Sequence, residues 1–197
     1  MIQFRYNYDI IAIVSKSQSG KTTLIKNIIL NGVPDEDVLV LDTNYEYDSY
    51  TNVYQPVRSY TSELDKFIVK SRTMKNKVMV LEDLDGFRPR KSREFYDFII
   101  HGRHQNMGAI WVSRRVLGLQ KELITNSDYL ILSKSIPLED KVYISDSFNT
   151  GDPRLGIKGF KIDWNFVESL GEYEFAILDV KNQTMTKISV KHGEKHE

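Results

Sequence analysis

The sequence contains no cysteine, which excludes disulfides and thiolate metal sites. No apolar run approaches the roughly 18–20 residues that a membrane-crossing helix needs. The longest, IIAIV (10–14) and LIKNIIL (24–30), are the size of a strand and a helix. The first residues, MIQFRYNYD, lack a charged stretch followed by an apolar one, so no secretory leader is expected and the expected location is the cytoplasm. Net charge is absent too: 27 Lys and Arg stand against 27 Asp and Glu. That balance argues against coating nucleic acid by bulk charge, though it leaves room for a local basic patch in an oligomer. No internal repeat and no low-complexity segment is present. One smaller absence lies in VSKSQSGKTTL (14–24), where a single glycine stands in a stretch that in phosphate-binding loops carries two or more.

What is present fits one domain. At 197 residues a chain can bury roughly 70% of its unfolded surface, enough for a full core. Apolar residues at 41% and charged residues at 27% are ordinary for a globular protein. Strand and helix patterns alternate. DIIAIV (9–14) is a continuous apolar, β-branched run, as expected of a strand buried on both faces. KTTLIKNIILN (21–31) places Leu24, Ile25, Ile28 and Ile29 at helical spacing, and Asn31-Gly32 supplies a stop. Further strands are expected at 37–44, 77–85, 108–115 and 128–134. Helices are expected at 62–72, with Ser62 as cap, at 92–104 and around 119–126. The fold expected is α/β: a mostly parallel sheet with helices on both faces. After residue 135 a helix, a Gly-rich loop (150–159), a short helix and a closing β-hairpin follow. The whole of 1–197 reads as one domain with a core at about 8–135, an edge addition at 136–191 and a frayed tail at 192–197.

The phosphate-loop signature requires Gly, four residues, then Gly-Lys-Ser/Thr. Ser15 occupies the first glycine position, Lys16, Ser17, Gln18 and Ser19 form the loop, and Gly20, Lys21 and Thr22 complete it. A strand before the loop and a helix after it aim backbone N–H groups at an anion, here the phosphates of ATP. Lys21 is expected to reach the β- and γ-phosphates, Thr22 to ligate Mg²⁺, and Thr23 to stand near the α-phosphate. A small serine costs little at the first position provided its φ stays negative, whereas Gly20 lies where the backbone closes on the phosphates. The bland alternative is a chance G-K-T at a helix start.

Phosphoryl transfer also needs an acid for the metal and one to orient the attacking water. VMVLED (78–83) supplies Glu82 for the metal and Asp83 for the water, with Asp85 as a further candidate. A solvated acidic turn at a strand end is the alternative. The strand at 108–115 ends in Ser113-Arg114-Arg115, where a polar residue can sense the γ-phosphate and an arginine can stabilise transferring charge; a basic loop is the bland reading.

In order and spacing, VSKSQSGKT, VLVLDTNYEYD, VMVLED, GRHQNMGAIWVSRR and NSDYLILSK resemble the FtsK–HerA superfamily of DNA-pumping ATPases over roughly residues 8–135. Asp42 with Glu46-Tyr47, and Gly102-Arg103-His104 ahead of Ser113-Arg114-Arg115, look like family landmarks, with Arg114 where the family has Gln. The compact chain is most similar to the genome-packaging ATPases of membrane-containing, double-jelly-roll viruses, including those infecting archaea. The resemblance implies a P-loop NTPase fold of RecA-like type and a homo-oligomeric ring, often hexameric, that hydrolyses ATP with Mg²⁺ and pumps double-stranded DNA into a preformed capsid. It also implies a capsid or portal protein as partner, and action in the host cytoplasm or on the virion. In such a ring one arginine reaches the neighbour's γ-phosphate: Arg103 is the first candidate, with Arg114 and Arg115 behind it. Arg88, Arg90, Lys91 and Arg93 of GFRPRKSR (86–93) are candidates for contact with DNA phosphates; a solvated basic helix entry is the alternative. A nucleoside or small-molecule kinase, and a nucleotide-binding scaffold with little turnover, remain as competing readings.

Overall fold

The computed structural model describes residues 4–101, 106–149 and 161–190. Eight strands form one sheet in the order β3-β2-β4-β5-β1-β6-β7-β8. Strands β1 (Ile10–Val14), β2 (Val38–Leu41), β3 (Asn52–Tyr54), β4 (Lys77–Leu81), β5 (Met107–Ser113) and β6 (Tyr129–Ser133) run parallel. The hairpin strands β7 (Glu174–Asp179) and β8 (Thr184–Ser189) add antiparallel to β6. This is the expected α/β architecture, a mostly parallel P-loop sheet closed by a hairpin. Strand β3 was not anticipated: only three residues long and followed by Gln55-Pro56, it is too short for a periodic signal.

Both faces of the sheet are covered, which is why the central strands read as unbroken apolar runs. Ile10, Ala12 and Val14 of β1 point into one core with Leu39, Met79 and Trp111. That core lies beneath helices α2 (Thr61–Ser71), α3 (Arg93–His101), α4 (Lys121–Thr125), α5 (Leu138–Asn149) and α6 (Trp164–Glu168). Ile11 and Ile13 point the other way, against Leu24 and Ile25 of α1 (Lys21–Leu24) and its continuation, a π-helical segment at Ile25–Ile29. The N-terminal segment crosses β5 so closely that a Cβ on Gly108 would lie 2.0 Å from the Tyr6 carbonyl oxygen, so only glycine fits there.

Helix ends differ from expectation in detail. Ser62 lies inside α2, whose N-cap is Tyr60 with no side-chain cap. The expected start of the 92–104 helix holds: Ser92 caps α3, its Oγ accepting from the Phe95 N–H at 2.9 Å, the usual service of an N-cap serine. Gly102, Arg103 and His104, the loop at 150–159 and the tail at 192–197 lie outside the described residues. Among the described residues no helix is long and apolar enough to cross a membrane.

Candidate functional site

The phosphate loop leaves the C-terminal end of β1 at the centre of the parallel strands, where α/β sheets collect ligands. Ser15 continues the β1–β5 ladder, its N–H donating to the Ser113 carbonyl at 3.1 Å. It is buried, and its φ is not left-handed, so serine at the first glycine position carries no backbone strain. Its hydroxyl bonds that of Ser19, which donates to the Lys16 carbonyl at 2.9 Å. The left-handed positions are Gln18 (φ 60°) and Gly20 (φ 88°). Gly20 precedes α1 without a side-chain cap, so the first N–H groups of that helix face the cavity above it. Lys21 Nζ donates to the Lys16 carbonyl at 3.2 Å, a neutral acceptor that a phosphate oxygen outcompetes through charge.

The facing wall is built by β2 and β4. Asp42, fully buried at the end of β2, accepts from the Asn44 N–H (3.1 Å) and the Tyr47 N–H (3.0 Å). That turn delivers Glu46 to the phosphate loop, where its Oε2 accepts from Thr22 Oγ1 at 2.6 Å. It also sends Tyr47 inward to donate to Glu82 Oε1 at 2.7 Å. Glu82 is 1% exposed, and burial pushes its carboxyl up to about 7, against the opposing pull of the Tyr47 hydrogen bond and the Lys21 charge. Burial, with the Glu82 carboxylate beside it, drives the Tyr47 phenol far above its ordinary range.

Asp83 sits in a left-handed conformation (φ 46°). Its carboxylate accepts from Asn44 Nδ2 at 3.1 Å and lies 3.5 Å from Arg114 Nε. Asp85 ties down the end of β5 instead, accepting from Ser113 Oγ at 3.1 Å and from the Arg114 N–H at 3.3 Å.

Gly20, Lys21, Thr22, Glu82, Asp83 and Arg114 line one cavity of about 650 Å³, and Asp85 lies outside its lining. Lys16 and the buried Ser15 and Ser113 lie outside its lining, while Ser17, Gln18, Ser19 and Thr23 belong to it. The donor set suits Mg²⁺: a threonine hydroxyl and carboxylates, all hard oxygen ligands. Among the described residues no three acidic or histidine side chains are grouped to hold a metal alone. A metal here would therefore share phosphate oxygens and water, as Mg²⁺ does beside nucleotides.

The basic candidates divide. Arg114 belongs to the cavity, whereas Arg115 pairs with the buried Asp140 at 2.6 Å. Arg90 donates through Nε and Nη2 to the Leu119 carbonyl at 2.9 and 2.7 Å and reaches the Tyr143 hydroxyl at 2.7 Å, which anchors its loop. Arg88, Lys91 and Arg93 are exposed around two short 3-10 turns. Arg103 lies outside the described residues. Two site residues were not singled out from the sequence. Glu46 carried only a landmark spacing, and Tyr173, which also lines the cavity, comes from a hairpin with no motif.

No family model matches the chain, and no characterised relative matches it by sequence. Solved structures do match. The genome packaging NTPase B204 from Sulfolobus turreted icosahedral virus 2, in complex with AMPPCP, superposes with a TM-score of 0.73 at 18% identity, covering 95% of this chain and 100% of that one. B204 from Sulfolobus Turreted Icosahedral Virus, a DNA-packaging ATPase, gives 0.74 at 18% identity over 96% and 100%. ATPases 2 and 3 of Thermomonospora curvata EccC give 0.61 at 8% identity, covering 96% of this chain and 38% of that one. The fold of this chain is thus the P-loop NTPase fold of its structural neighbours.

Proposed function

We propose that the protein is an ATP-hydrolysing motor that translocates double-stranded DNA, packaging a viral genome into a preformed capsid. One observation carries the reading: a phosphate loop and an acidic strand end face each other across one cavity, in a chain whose fold matches a packaging NTPase over 95% of its own length and 100% of that protein's. The loop N–H groups and Lys21 hold the phosphates and neutralise charge on the terminal one. Thr22 and Glu82 would hold a Mg²⁺ ion that accompanies the nucleotide, and the ion would supply further charge neutralisation there. Asp83, at the cavity wall, orients the attacking water, and Arg114, 3.5 Å from that carboxylate, holds it in place. Ser113 and Asp85 fix the strand end from which Arg114 projects.

The motor reading adds a homo-oligomeric ring, most simply a hexamer, acting in the host cytoplasm and docking on a capsid or portal protein. Arg103 is its first candidate for completing a neighbour's site. Arg88, Lys91 and Arg93 are candidates for DNA phosphates; Arg90, committed to Leu119 and Tyr143, supports their loop. A triplex-displacement assay tests translocation: with ATP the protein strips a third strand from a DNA duplex, and without ATP it does not. Failure to displace under conditions where ATP is hydrolysed overturns the motor. A second reading, a nucleotide-binding switch with little turnover, is favoured by one feature: Asp83 is already tied to both Asn44 and Arg114.

A further inference from the structure

A second cavity, of about 490 Å³, opens on the far side of the phosphate loop. It shares Ser17, Gln18, Ser19 and Tyr173 with the first, so the two form one trough across the loop. Its other walls are residues 133–135, where β6 ends, and 171–174, where β7 begins. In the strand order β4-β5-β1-β6-β7, the acids stand at the end of β4 and the loop at the end of β1. A triphosphate with its terminal phosphate toward Glu82 and Asp83 therefore runs its chain over the loop and sends its nucleoside toward β6 and β7.

Tyr173 stands on that path. Its backbone is left-handed (φ 57°), and its carbonyl accepts from the Val190 N–H at 2.9 Å, a bond from the far side of the hairpin. Next to it, the Glu174 carboxylate accepts from the Gly171 N–H (2.7 Å) and from Lys187 Nζ of β8 (2.9 Å). These bonds fix the 171–174 turn and with it the tyrosine. The half-buried ring lies over the loop: a Cβ added to Gly20 would sit 3.1 Å from its Cδ1. An aromatic ring lining both a phosphate cradle and a second hollow beside it is suited to hold a flat nucleobase by stacking.

We infer that the cavity between β6 and the β7 turn receives the base and ribose of the bound nucleoside triphosphate, with Tyr173 as its stacking surface. The C-terminal hairpin thereby completes the nucleotide site of its own subunit. This rests on the ATP-binding reading above.

Calorimetric titration of the full chain with MgATP and, separately, with magnesium tripolyphosphate, which has phosphates and no base, tests it. Tyr173→Ala weakens ATP by about ten- to a hundredfold, the scale of one lost base–aromatic stack, and leaves tripolyphosphate binding unchanged; Tyr173→Phe keeps both. Equal loss of ATP and tripolyphosphate in Tyr173→Ala, or no loss of either, overturns the inference while the ATP reading stands. Wild-type protein that binds neither ligand overturns both. Should Tyr173→Ala not fold, photolabelling of the wild type with 8-azido-ATP decides: label on the peptide carrying Tyr173 supports the inference, and label confined elsewhere contradicts it.

Discussion

The two walls of the nucleotide cavity are built in opposite ways. The phosphate-loop wall is backbone and small hydroxyls: Ser15, Ser19 and Lys16 close it through short local bonds, and its shape is set by the φ of Gln18 and Gly20. The acidic wall is a network of side chains from several elements, running from Asp42 through Tyr47 to Glu82, and from Asn44 through Asp83 to Arg114. A backbone wall is sensitive at few positions and indifferent at the rest. A side-chain network passes the loss of one member to its neighbours.

The largest expected effect removes the lysine of the backbone wall that lines the cavity. Lys21→Ala lowers ATP turnover by about 10²–10³-fold, the scale of losing one electrostatic contact to transferring charge, with an unchanged far-UV circular dichroism spectrum. A fall much smaller than this would mean that the acidic wall carries the phosphates by itself.

The next effect belongs to the network. Glu82 in the folded protein keeps its proton up to about pH 7, whereas in the unfolded chain it loses it near its ordinary 4.5. Between those values the folded state holds more protons than the unfolded one, so stability falls as pH rises. The contribution is fully present below about pH 4.5 and is lost as pH passes through 7, amounting to about 3 kcal/mol at one pKa unit per 1.36 kcal/mol. Urea titrations of the nucleotide-free protein at pH 5 and pH 8 should show this decline, and Glu82→Gln should remove it. Tyr47→Phe should steepen it, because the phenol hydrogen bond favours the charged carboxylate. Identical pH slopes in wild type and Glu82→Gln would show that the wall is not coupled in this way.

A smaller pair of changes probes the backbone wall directly. Gly20→Ala forces an alanine to φ 88° with its Cβ 3.1 Å from the Tyr173 ring, and should cost about 1–3 kcal/mol of stability. Ser15→Gly, which only restores the usual loop glycine, should change stability by less than about 1 kcal/mol. The comparison is read from thermal melts of the two variants. Equal losses would mean that Ser15 holds the loop through its hydroxyl and not merely by fitting it.

The same contrast explains what was legible in the sequence. The backbone wall shows because phosphate binding by N–H groups constrains local sequence: Gly20, Lys21 and Thr22 follow a buried strand and open a helix, all within one stretch. The central strands show because burial on both faces leaves unbroken apolar runs such as IIAIV and VMVL. The acidic wall is only half legible. Glu82 and Asp83 announce themselves at a strand end, yet Glu46 becomes a site residue only because Asp42 folds the chain back onto Thr22. That is a tertiary relation spanning 24 residues, with no local period. Tyr173 is silent for the same reason, since its place over Gly20 depends on the hairpin pairing with β6. Arg90 shows the reverse error. A basic run suggests an exposed charged face, and only the folded chain reveals that this member is spent on the Leu119 carbonyl.

The central claim is that both walls act on one bound ATP in the service of moving DNA. Steady-state ATP hydrolysis by the intact protein, with and without double-stranded DNA and beside Lys21→Ala, tests it most directly. The account predicts turnover that rises with DNA and falls by about 10²–10³-fold in the variant. Hydrolysis indifferent to DNA would contradict the motor, and no hydrolysis in the intact protein would contradict an enzyme of any kind.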